Sequence, residues 1–191
     1  DALDCDRLHL LKNSGEVPVN DSLTLNVLSV FDQDNWVKPS DDSKINVALY
    51  HGAISGVSTD MGWVMDHGEH DVGIFEGHDF AMLGDIHKRQ ALDKEKRIWY
   101  SGSTIPQNFG ETQQKGFLFW QIEDKNKFDV KFHPIEHVHP YVTLDWKSNF
   151  DDIIAEASSL TPGSRVRIRA NERLPYLSLI HISEPTRLLR I

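Results

Sequence analysis

Two histidines and an aspartate stand where chemistry could be done. His51 follows the apolar run Ile45–Tyr50 (INVALY) directly and precedes Gly52. His87 closes the tetrad Gly84-Asp85-Ile86-His87, which follows a second short apolar run, Phe80–Leu83. An apolar run of this length bounded by glycine reads as a strand buried on both faces. The carboxyl ends of such strands are where open α/β sheets hold ligands. Imidazole and carboxylate donors on rigid strand ends suit Mn²⁺, Fe²⁺ or Zn²⁺. On an extended segment, Asp85 and His87 would project to the same side; a turn would aim them at two neighbouring metals instead. Against this, any one histidine at a strand end can simply be a polar residue at a boundary.

The elements that must position these groups follow from apolar periodicity. Residues 1–14 read as a short amphipathic helix, with Leu3, Leu8 and Leu11 near one face and Gly15 as its stop. Strands are expected at 23–31, 45–50, 80–83, 97–100, 116–122 and 128–135. Between them, residues 52–79 are rich in Gly, His and Asp and suggest a functional loop region with a short helix near Gly73–Glu76. After Pro140 the pattern becomes strand, helix, strand: Tyr141–Trp146, Asp151–Leu160 behind Asn149, and the alternating Arg165–Ala170. That unit reads as the start of a second small domain.

The 191 residues carry a formal charge of −9 with ten histidines uncharged, which argues against electrostatic coating of DNA by clustered Lys and Arg. A metal-dependent nuclease survives that objection, because it needs carboxylates and its bound cations reverse the local sign. Cys5 is the only cysteine, which excludes an internal disulfide framework and a cysteine-based zinc cluster. No apolar run reaches the roughly 18 residues of a membrane helix, and the amino terminus lacks the pattern of a signal peptide. A cytoplasmic location and no membrane partner are therefore expected.

Three segments together resemble a known family. FAMLGDIHKRQ (Phe80–Gln90), IWYSGSTIPQNFGE (Ile98–Glu111) and KGFLFWQI (Lys115–Ile122) look like the end of the phosphoesterase domain of SbcD-type nucleases, in their phage-like branch. These are nuclease subunits of double-strand-break repair complexes within the calcineurin-like metallophosphoesterase superfamily. NVALYHGAISG (Asn46–Gly56) is similar to the family's upstream histidine motif. The resemblance implies an α/β fold: residues 1–140 would be the second half of a two-sheet metallophosphoesterase sandwich. Residues 141–175 would begin a small α+β DNA-capping domain.

By the same resemblance, two divalent cations, Mn²⁺ preferred and Mg²⁺ possible, would be held in part by His51, Asp85 and His87. His51 and Asp85 would serve the second metal and His87 the first. Asp85 stands where most relatives have histidine, and a harder ligand favours Mn²⁺ or Mg²⁺ over zinc. The family's Asp-x-His, Gly-Asp and Gly-Asn-His-Asp motifs have no match in residues 1–44 and are expected upstream. The general acid would lie there too, so the fragment alone is expected to be inactive and to expose apolar surface. DNA, a coiled-coil SMC-like ATPase and a second copy of the full-length protein are the implied partners.

Lys88 and Arg89, beside the metal residues, and Arg165, Arg167 and Arg169, sharing one strand face, are candidate DNA contacts. Each set is equally well an exposed, solvated surface. Ser101-Gly102-Ser103 is similar to a family turn near the active site, or is only a tight turn. His67, His70 and His78 with Asp71 and Asp79 could form a metal cluster, although loop polarity explains them as well. Phe117, Phe119 and Trp120 are expected in the core and on sheet faces; His133, His137 and His139 have no assigned role. Two readings from other classes stand beside the nuclease: a phosphoesterase acting on small nucleotides or phosphoproteins, and a degenerate, non-catalytic binding module. Finally, Leu177–Arg187 (LSLIHISEPTR) resembles a translated sequencing adaptor, so residues 176–191 are expected to be an artefact tail.

Overall fold

A computed structural model describes residues 9–146 and 149–170. The chain is a mixed α/β protein with a mixed sheet and few helices, divided into two compact units. The first comprises Asp1–Thr104 and Gly116–Pro134, and the second Ile105–Lys115 and Ile135–Ile191.

The first unit is built on a six-stranded sheet. Its strands are β1 (Gly15–Asn20), β2 (Leu23–Leu28), β3 (Ile45–His51), β4 (Phe80–Gly84), β5 (Gln90–Ala91) and β6 (Ile98–Tyr100), in spatial order β1-β2-β3-β4-β6-β5. The inner four run parallel, and β1 and β5 close the edges antiparallel. Strands in parallel sheets are commonly covered on both faces and read as apolar runs, as β3 and β4 do. On one face Leu28, Ala48, Tyr50, Ala81, Leu83 and Tyr100 pack in the main core. On the other, Phe80 meets the edges of Trp120 and Phe128, at ring distances of 5.9 and 4.8 Å. Those two rings belong to the hairpin β7 (Gly116–Ile122) and β8 (Phe128–Pro134).

Residues 52–79 form more than a functional loop. They carry Ile54, Val57 and Phe75 into the core, each less than 5 % exposed. The helix expected near Gly73 is a single 3-10 turn, Val72–Phe75, capped by the Asp71 carboxylate accepting from the Gly73 amide at 2.7 Å. At the amino terminus the expected helix over 1–14 is not formed where it can be seen: residues 9–14 are irregular, and 1–8 lie outside the described residues. Ser14 is tied instead to Asp32, its amide and hydroxyl donating at 2.9 and 2.8 Å. Gly15 then opens β1, an edge strand that tolerates Pro18 beside an irregularity in its pairing.

In the second unit, β9 (Tyr141–Asp145), α1 (Phe150–Ser158) and β10 (Arg165–Arg169) form the expected strand, helix and strand, with β9 and β10 parallel. Asn149 caps α1 by accepting from the Asp152 amide at 2.9 Å, and Asp151 and Asp152 favour the positive end of the helix. The unit also takes in Ile105–Lys115, a segment that a boundary at residue 140 leaves out. Side chains explain the difference: Gln113 accepts from the Tyr141 amide at 3.2 Å, and Phe109 packs edge-on against Tyr141 at 4.9 Å. The buried pair Lys115–Glu111, 3.0 Å apart, lies within the same segment. No helix among the described residues is long and apolar enough to cross a membrane. The expected artefact tail, 176–191, lies outside the described residues.

Candidate metal centre

His51 and Gly84 are the last residues of β3 and β4 and face each other across the parallel ladder. The imidazole lies across the glycine: a Cβ built on Gly84 would sit 2.7 Å from His51 Cδ2. The lack of a Cβ at Gly84 thus leaves the room that the exposed His51 ring occupies at the carboxyl edge of the sheet. One residue on, Gly52 is buried between two tyrosines. A Cβ there would fall 2.5 Å from the Tyr50 hydroxyl oxygen. The Tyr100 hydroxyl, from the end of β6, donates to Gly52 O at 2.6 Å and accepts from the Ile54 amide at 3.1 Å. The His51-Gly52 pair is therefore a strand end clasped by buried phenols.

Asp85 leaves β4 with φ +90°, in the left-handed region that favours glycine. It is exposed, while Ile86 is 8 % exposed and belongs to the core. The backbone turns at Asp85 beside the buried Ile86, so the extended geometry that would put Asp85 and His87 on one side does not apply. His87 is half-buried, and its carbonyl accepts from the Ser103 amide at 3.3 Å. The Ser101-Gly102-Ser103 turn lies against that backbone; Gly102 has φ +78°, and a Cβ there would be 3.0 Å from His87 O. Ser103 Oγ is buried with no hydrogen-bond partner among the described residues.

His51, Asp85 and His87 thus share one end of the sheet, on neighbouring strand ends. They do not close around a point: among the described residues, no group of three or more His, Cys, Asp or Glu side chains is arranged to hold a metal ion. Imidazole and carboxylate are donor types that divalent cations take, but among the described residues they are not grouped to hold one. Convergence of all three, expected from the sequence, is not seen among the described residues.

Electrostatics favour neutral phenols beneath this edge. Burial pushes Tyr50 up to about 12, with the Glu69 and Asp85 carboxylates adding to the effect. Burial also raises Tyr100, against the opposing hydrogen bond from Ile54. Both hydroxyls keep their protons at neutral pH, so Tyr100 can donate to Gly52. On the sheet face that carries His51, an apolar groove of about 770 Å³ is lined by Leu10, Leu11, Val27, Leu49, Met82 and His51 among others.

The candidate DNA contacts are engaged within the chain. Lys88 Nζ donates to Ser58 Oγ at 2.7 Å, and the Arg89 guanidinium lies 3.5 Å from the Phe132 ring centre. Arg165, Arg167 and Arg169 each bond the residue opposite on β9: the Tyr141 hydroxyl, Thr143 Oγ1 at 3.0 Å, and the Asp145 carboxylate at 2.7 and 3.1 Å. Arg169 and Asp145 form an ion pair, and Arg167 also lies 4.9 Å from the Phe109 ring centre.

The loop histidines and acids resolve into separate structural parts. His70 packs on Trp36 at 4.9 Å, His78 bonds Phe75 O at 3.2 Å, and Asp79 accepts from the Asn46 amide and pairs with Lys125. His133 stacks on Phe117, while His137 and His139 bond the carbonyls of Gln113 and Gly163. Sequence reasoning missed Tyr100, although its place at the end of an IWY strand just before Ser101-Gly102-Ser103 was a usable signal.

No family model matches the chain. The chain is similar to "Uncharacterized protein R555" of Acanthamoeba polyphaga mimivirus, with 35 % identity over 130 residues. The match takes in 62 % of this chain and 10 % of the viral protein, so the chain spans about a tenth of the length of that curated relative.

Proposed function

We propose that this chain is part of a metal-dependent nuclease of the SbcD type, built on the metallophosphoesterase sandwich. The observation that carries the reading is the His51 imidazole laid across Gly84 at the carboxyl ends of adjacent parallel strands, with Asp85 next in sequence. The hairpin packed on the opposite face of the sheet from the main core supports a second sheet layer. In this reading His51, Asp85 and His87 supply part of the ligand set for two divalent cations, Mn²⁺ before Mg²⁺ because Asp85 is a hard donor. Further donors, a carboxylate among them, would be needed beyond these three residues. Bound cations would activate water and neutralise charge on the phosphoryl group. The three side chains hold and orient; none of them attacks. DNA as substrate, a coiled-coil ATPase partner and a homodimer belong to the same proposal and rest on the resemblance alone.

A second reading is a phosphoesterase-like domain retained for binding. What favours it is the absence, among the described residues, of three donors arranged around one point. One experiment separates them: digestion of linear duplex DNA with Mn²⁺ by the protein including its upstream sequence. Wild type should cut, and His87→Ala should lose at least about 10-fold in activity, as ligand-shell losses do. Undiminished cutting by His87→Ala would remove His87 from the site, and no cutting by wild type would favour the binding module.

A further inference from the structure

β10 alternates in residue type, and its two faces differ in kind. Arg165, Arg167 and Arg169 share one face with Tyr141, Thr143 and Asp145, their register partners on β9. The other face carries Val142, Leu144, Val166 and Ile168. The helix α1 packs against β9, and Leu144 and Ile153 are each 3 % exposed, so the helix covers the apolar side. The arginine face is left to water, with all three arginines exposed.

This open face joins charge to rings. Arg165 Cζ lies 4.9 Å from the Tyr141 ring centre and Arg167 Cζ 4.9 Å from that of Phe109. The two rings meet edge-on, 4.9 Å apart. The groups that hold these two guanidiniums are neutral: the Tyr141 hydroxyl, Thr143 Oγ1 and the rings themselves. Arg169 differs, since the Asp145 carboxylate takes it at 2.7 and 3.1 Å. Three cations and one anion thus gather on one face of a chain whose formal charge is −9.

We infer that this face binds single-stranded DNA, with Arg165 and Arg167 on its phosphates and unpaired bases stacked on the Phe109–Tyr141 surface. Cations alone would suit any polyanion. Rings interleaved with them suit bases as well, and an arginine held over a ring offers its own plane to a base. Bases show their flat faces only where the strand is unpaired; a duplex keeps them inside its stack. The inference deepens the nuclease reading by naming the form of strand, and rests on that reading for DNA as the polymer. It needs no metal.

The test is fluorescence anisotropy of labelled oligonucleotides with the full chain in EDTA. A single-stranded dT oligomer of about 15 nucleotides should bind at least about 5-fold tighter than a duplex or an abasic strand of equal length. Phe109→Leu should weaken dT binding about 5-fold or more and leave the abasic strand unchanged. Arg167→Gln should weaken both and lower the salt slope of log Kd by about 0.7, the share of one phosphate. Lys131→Gln, an equal loss of charge on β8, should change neither. Where Phe109→Leu lowers the melting temperature, the abasic strand and Arg167→Gln, at an exposed position, decide. Equal binding of the abasic strand, preference for the duplex, or dT binding unmoved by Arg167→Gln overturns the inference. Failure of dT to bind overturns it too, and leaves Mn²⁺-dependent cutting of duplex DNA, the test of the nuclease reading, untouched.

Discussion

At the scale of single residues, the edge of the sheet carries a local backbone cost at Asp85. A non-glycine residue held at positive φ costs about 1–3 kcal/mol, and Asp85 sits at +90° although glycine would fit without strain. Glycine would return roughly 0.5–1 kcal/mol of that through its freer unfolded chain. Asp85→Gly should therefore stabilise the chain by about 1 kcal/mol, read as a higher denaturant midpoint with an unchanged slope. A destabilised Asp85→Gly would mean that the carboxylate holds the fold, and its place in the ligand set would lapse. The sequence made His51, Asp85 and His87 visible because glycines and apolar runs frame them. It could not show that Ile86 is core, since one apolar residue between two polar ones has no period to read. Asp85 leaves the extended path beside that buried residue.

At the scale of elements, strands with a clear apolar period were legible and the others were not. β3, β4 and β7 follow the expected ranges to within one residue, as do β8 and β9. β1 was hidden by Gly15 and Pro18, residues that punctuate loops but are allowed at a sheet edge. β5 has only two residues, too few for any pattern. Along β7 the alternation was right and the facing partly wrong: Phe117 and Phe119 point outward, 44 % and 51 % exposed, while Trp120 packs on Phe80. The parity of that strand is pinned at its first residue. Gly116 lies opposite Pro134, and a Cβ on it would sit 2.0 Å from His133 O, a backbone atom that cannot swing aside. Gly116→Ala should cost about 3 kcal/mol, the upper range of overpacking. Chemical denaturation measures it, and a loss below about 0.5 kcal/mol would show that the hairpin is free to shift its register.

At the scale of the whole molecule, one face of the first unit's sheet is incompletely covered among the described residues. Trp120 and Phe128 reach Phe80, but Val27, Leu49 and Met82 line a groove closed only in part by Leu10 and Leu11. At its rim Phe31 is 95 % exposed. Apolar surface gathered in one concavity is unusual for a protein at rest in water, where large hydrophobic residues stand singly. The sequence could suggest such exposure only through the resemblance; no periodicity reveals which face of a buried-type strand lacks its cover. The groove should bind an environment-sensitive dye such as anilinonaphthalene sulfonate in the folded state, below the onset of the thermal transition. Phe31→Ser should lower that signal while shifting stability by no more than about 0.5 kcal/mol, as expected for an exposed position. Dye fluorescence that appears only on melting, in wild type and variant alike, would show the sheet face to be sealed in solution. In that case His51 would open onto a closed apolar wall, and access to the strand ends would have to come from the side of Asp85.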